Sequence, residues 1–100
     1  MKEKTRKLID EIRRVLENEP VRRAWLFGSY AREQESKDSD VDLLVEMKPN
    51  DLSILGFLKI QTRIEKAINK PVDLIEEDCL EDFAKVSANN EKILIYEAVY

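Results

Sequence analysis

The chain has no histidine, and Cys79 is its single cysteine. Without an imidazole, Ser-His-Asp and Cys-His catalysis are excluded, and any base chemistry falls to carboxylates. One thiol can form neither an internal disulfide nor a cysteine-clustered zinc site, which fits a reducing compartment and predicts a cytoplasmic protein. No apolar run approaches the ~20 residues of a membrane helix. The opening Met1-Lys2-Glu3-Lys4-Thr5-Arg6-Lys7 is too charged to lead into a signal peptide. A basic excess is also missing: 17 Lys and Arg stand against 21 Asp and Glu, for a formal net charge of −4. Nucleic acid is therefore not expected as the main partner, since a phosphate-binding surface needs a positive footprint. The pairs Arg13-Arg14 and Arg22-Arg23 read as solvated flanks of a helix and a strand. No Gly-x-x-x-x-Gly-Lys occurs, so phosphoryl transfer on a P-loop has no support.

The 100 residues, 43% hydrophobic and 38% charged, suit a single globular domain over 1–100 with one modest core. From Lys2 to Asn18, Leu8, Ile9, Ile12, Val15 and Leu16 recur at helical spacing, and Pro20 ends the pattern. Val21 to Phe27 reads as a strand, with Trp25 as a packing residue. Val41 to Met47 is a second strand, closed by Lys48-Pro49-Asn50. Asp51 to Asn69 is the longest helical pattern; Asp51 or Ser53 can cap it, and Gly56 allows a later start. Lys70-Pro71 precedes a third strand, Val72 to Ile75. The acids Glu76-Glu77-Asp78 suit the start of another helix, with Phe83 and Val86 on its apolar side and a break near Asn89-Asn90. For Ile93 to Tyr96 the pattern does not decide between helix and strand. The order predicts an α/β two-layer sandwich.

Two short stretches carry the chemistry. Gly28 and Ser29 end the first strand, where glycine lets an anion approach the backbone and Ser29 is placed to cap a short helix over Tyr30 to Glu33. Tyr30 reads as a support for that helix. Eleven residues after Ser29, Asp40 and Asp42 open the second strand two apart, so both carboxylates aim at one side of the sheet. Acids aimed alike repel, and a divalent cation with a preference for hard oxygen ligands relieves them. Asp73 lies inside an apolar strand, where it needs either a basic partner or a metal; beside two other acids, metal is the favoured reading. Phosphate turn and paired acids together describe a metal nucleotide site.

The run Gly28-Ser29-Tyr30-Ala31-Arg32, a spacer, then Ser39-Asp40-Val41-Asp42-Leu43-Leu44-Val45 resembles the signature of the polymerase-beta-like nucleotidyltransferases. Within them the chain is similar to the minimal nucleotidyltransferases, including the MntA-type antitoxins that pair with HEPN toxins and transfer AMP onto them. The resemblance implies a mixed rather than all-parallel sheet and a third carboxylate at Asp73. It also implies ATP as substrate and two Mg²⁺ ions held by Asp40, Asp42 and Asp73. Gly28 and Ser29 would cradle the outer phosphates, and Arg32 either neutralises pyrophosphate or forms a surface salt bridge. The chain departs from the family at Glu33, where glycine is usual; a side chain there restricts positive φ and adds negative charge near a triphosphate.

Three functions compete. In the first, AMP passes from ATP to a hydroxyl, a Tyr of a HEPN-type partner protein. A non-catalytic antitoxin that masks its partner is the second, against which the intact acids argue, since masking needs no metal. The third is modification of a small molecule, as by antibiotic nucleotidyltransferases, for which the acceptor site could only form across a homodimer.

Overall fold

Helix α1 (Glu3–Leu16) leads into β1 (Val21–Phe27), the single turn α2 (Gly28–Ala31), β2 (Val41–Met47), α3 (Ile54–Ile68), β3 (Val72–Glu76), a 3-10 turn at Glu77–Cys79 and β4 (Ile93–Glu97). These come from a computed structural model that describes residues 2–79 and 91–99. The expected helix around Phe83 and Val86 lies outside the described residues.

The strands form one sheet in the order β3-β2-β1-β4. β1 runs antiparallel to both β2 and β4, whereas β2 and β3 are parallel, so the sheet is mixed. Parallel neighbours need a crossover, and α3 supplies it between β2 and β3. Ile93 to Glu97 is a strand: its pairing with β1 decides what periodicity could not.

Strand alternation then sorts the side chains. Val41, Leu43 and Val45 of β2, Leu26 of β1 and Val72 and Leu74 of β3 point to the helix side. There they meet Leu8, Ile9, Ile12 and Leu16 of α1 and Ile60, Ile64 and Ile68 of α3 in the main core. Trp25, Phe27, Leu44 and Ile75 form a smaller cluster on the opposite face. Trp25 is thus buried as expected, but on the face that also carries Asp42 and Asp73.

Local chemistry fixes the element ends. Ser53 caps α3, its hydroxyl accepting from the Gly56 amide at 3.1 Å, so the helix starts at Ile54 rather than after Gly56. At its far end Asn69 takes a left-handed conformation, φ 55°. Glu65 reaches from α3 to accept the Val72 amide at 2.9 Å, and the Val41 amide donates to the Pro71 carbonyl at 3.0 Å. Those two bonds tie the start of β3 to α3 and β2.

The turn after α2 closes as a Schellman motif. The Gln34 amide donates to the Ser29 carbonyl at 2.8 Å and the Glu33 amide to the Tyr30 carbonyl at 3.2 Å. The residue between the cap and Gln34 must be left-handed, and Glu33 is, with φ 57°. This geometry explains a preference for glycine here; in this chain the glutamate adopts the conformation regardless. A left-handed residue other than glycine costs about 1–2 kcal/mol, and glycine gives back part of that through its freer unfolded state. Glu33→Gly should therefore stabilise the protein by up to about 1 kcal/mol, a rise of a few degrees in Tm by calorimetry. An unchanged or lower Tm would show that side-chain contacts of Glu33 outweigh its backbone strain.

Candidate active site

Gly28 follows β1 directly and begins α2 with φ 71°. A Cβ built there would stand 2.2 Å from Asp42 Oδ2. A side chain there would force the Asp42 carboxylate to turn away, and the positive φ favours glycine in any case. The phosphate turn and the acid strand are thus in direct contact.

Ser29 does not cap α2. The helix begins two residues earlier than a Ser29 cap would set, its cap is Phe27, and no side chain bonds to its first turn. Starting at Gly28 leaves the amides of that turn without a side-chain acceptor, and those amides are the donors an anion would use.

Asp42 sits opposite Phe27 of β1 and opposite Asp73 of β3. Because β2 and β3 are parallel and in register, Asp42 and Asp73 occupy the same face, while Asp40 lies just before β2. Asp42 is half-buried; Asp40 and Asp73 are exposed. Burial pushes the Asp42 carboxyl above the usual carboxylate range, and repulsion from Asp73 and then Asp40 adds to the rise; Arg32 opposes it. Asp73, Asp40 and Arg32 thus all act on Asp42. Among the described residues, however, no three acid, His or Cys side chains stand close enough to hold one ion as they lie. Asp42 and Asp73 share a face, with Asp40 just before the strand, and the three do not close into a ligand cage.

The donor chemistry nevertheless suits a hard divalent cation. Carboxylate oxygens are its preferred ligands, and a cation between Asp42 and Asp73 would offset both the burial that raises Asp42 and the repulsion that adds to it.

Arg32 is engaged rather than poised alone. Its Nη1 pairs with Glu91 Oε2 at 2.8 Å and its Nε donates to Gln34 Oε1 at 3.2 Å. Lys92 Nζ lies 4.2 Å from the Trp25 ring centroid and 3.0 Å from Glu77 Oε1. No local motif announces Glu91 and Lys92, because Arg32 and Trp25 stand 59 and 67 positions away from them in the chain; only β4's return to β1 brings them there. One arginine of each basic pair is engaged similarly: Arg23 meets Glu46 and Glu97, and Arg13 meets Asp10.

The raised Asp42 carboxyl has a definite pH signature. The folded state prefers it protonated, so its contribution favours folding below the ordinary carboxylate value, about 3.9, and is lost as pH rises through the higher folded value. Without metal, Asp42→Asn should melt a few degrees higher than wild type at neutral pH, with the gap closing as pH falls into the carboxylate range. Melting curves across pH check this; a variant less stable than wild type at pH 7 would contradict it.

Residues 10–99 match the family model described as polymerase beta, nucleotidyltransferase. A Methanocaldococcus jannaschii protein, provisionally named a protein adenylyltransferase, is 33% identical over 89 residues, covering 85% of this chain and 95% of its own. The protein adenylyltransferase MntA of Thermococcus cleftensis is 32% identical over 80 residues, 80% of this chain and 74% of its own. Among solved structures, a minimal nucleotidyltransferase superposes with a TM-score of 0.77 at 25% identity, covering 91% of this chain and 92% of that one. A complex of a tri-AMPylated HEPN toxin with its MNT antitoxin, from Shewanella oneidensis, gives 0.63 at 17% identity, covering 95% and 71%. With nine-tenths of its length matched by the family model and its fold shared, the chain belongs to the polymerase beta nucleotidyltransferases.

Proposed function

We propose that this enzyme transfers AMP from ATP to a hydroxyl on a partner protein, specifically a Tyr of a HEPN-type toxin, and so acts as its antitoxin. The observation that carries the reading is the contact between Gly28 and Asp42, with Asp73 opposite on the same face: a backbone phosphate cradle abuts a pair of repelling carboxylates. Relatives that carry the name protein adenylyltransferase support the reaction type, and the AMPylated toxin complex supports the acceptor class.

Asp40, Asp42 and Asp73 would hold two Mg²⁺. When bound, these ions supply charge neutralisation of the polyphosphate and acidification of the attacking hydroxyl. Gly28 and Ser29 offer backbone amides to the outer phosphates. Arg32, already beside Asp42, can exchange Glu91 for a phosphate oxygen and offset charge on the leaving group. A new P–O bond forms to the Tyr Oη as the bond from the α-phosphorus to the bridging oxygen breaks; pyrophosphate leaves and the Tyr proton passes to solvent. Tyr suits the role, since its ordinary pKa of about 10 is well below that of an aliphatic alcohol. AMP would then add bulk and negative charge at the toxin.

A specific observation keeps simple masking in view. Leu52, Ile54, Leu55 and Leu58 expose a run of large apolar side chains at the start of α3, suited to protein contact. Co-expression with a HEPN-type partner separates the readings by intact mass and toxicity. The partner should gain AMP units with wild type and none with Asp40→Asn or Asp42→Asn, and those variants should fail to neutralise it. Neutralisation by the Asp variants without added mass would establish masking instead.

A further inference from the structure

On the helix side of the same end of the sheet, apart from the acids, lies a recess of about 440 Å³. Its walls include Lys2 and Lys4 at the start of α1, Lys37 of the loop before β2 and Lys70 just before β3. Four of the chain's 17 basic residues thus gather around one hollow in a protein whose net charge is −4. Tyr30 forms part of the wall and links the recess to α2.

The recess contains one acid, and it is half-used. Lys2 Nζ donates to Glu35 Oε2 at 2.5 Å. The other oxygen, Oε1, is buried and has no hydrogen-bond partner among the described residues. A buried acceptor of this kind costs free energy unless a donor reaches it. The two features together describe a ligand with anionic oxygens for the ammonium groups and an N–H or O–H for Glu35.

We infer that this recess binds a small phosphorylated molecule bearing a hydroxyl or amino donor, at a site separate from the catalytic acids. The cations are all lysines, compact point charges suited to phosphate, whereas recognition of planar carboxylates favours the forked guanidinium of arginine. The volume matches one small molecule. Occupancy would brace the loop carrying Lys37, which joins the phosphate turn to Asp40.

Calorimetric titration of the full chain tests this in an Asp42→Asn background with chelator present, where the proposed transfer cannot occur and its failure is read separately. AMP should bind at least about tenfold more tightly than adenosine, and Lys4→Gln/Lys37→Gln should weaken AMP by about tenfold or more. Both lysines are exposed, so the pair can be replaced without disturbing the core. In Glu35→Gln, inorganic phosphate should bind as well as before or better, because a like charge has gone, while the advantage of AMP over phosphate disappears. AMP binding no tighter than adenosine, or unmoved by the lysine substitutions, would overturn the proposal. So would an oligo-glutamate peptide that binds more tightly than AMP with the same lysine dependence, which would make the recess a protein-docking site.

Discussion

Two carboxylates held side by side across parallel strands set the terms for everything around them. Asp42 and Asp73 face each other because β2 and β3 are parallel and in register, and that register is fixed by the Pro71 to Val41 hydrogen bond and by Glu65 on the Val72 amide. Their repulsion, added to the partial burial of Asp42, is a standing cost of the fold. Gly28 lets the Asp42 carboxylate lie where it does, since a Cβ at that position would push Oδ2 aside. Like-charged groups kept together at a cost, next to uncapped amides, are what a site for a cation-bound polyphosphate requires.

The sheet divides the labour. Its helix side is an ordinary core, with Ile12, Leu16, Leu26, Leu43, Ile60 and Ile64 excluded from solvent. Burial of this kind supplies the stability that offsets the acids' repulsion and the left-handed Glu33. The other face is only partly apolar: Trp25 and Leu44 pack together, and charged pairs such as Lys92 with Glu77 and Arg23 with Glu46 lie on or beside that face.

Much of this was legible in the sequence, and the failures are physical. α1, β1, β2 and β3 follow directly from apolar spacing and from Pro20, Pro49 and Pro71, because local rules dominate there. β4 was undecidable, since Ile93 to Tyr96 fits either element until β1 is present as a partner. The assignment of Ser29 as a helix cap was wrong: propensity suits it to that role, but Gly28 can take φ 71° and start the turn sooner. Glu33 carries a side chain that restricts positive φ, yet two backbone hydrogen bonds hold it at φ 57°. The parity of Asp42 and Asp73 was readable from strand alternation, whereas Glu91 on Arg32 is a tertiary contact that no local pattern announces.

The face bearing Asp42 and Asp73 has the donors and the charge for a divalent cation. Paramagnetic broadening by substoichiometric Mn²⁺ tests this without reference to activity. Amide signals of Gly28, Ser29, Asp42 and Asp73 should broaden first and together, and Asp42→Asn should abolish the effect. Broadening centred instead on Glu76, Glu77 and Asp78, or equal in the variant, would contradict the account.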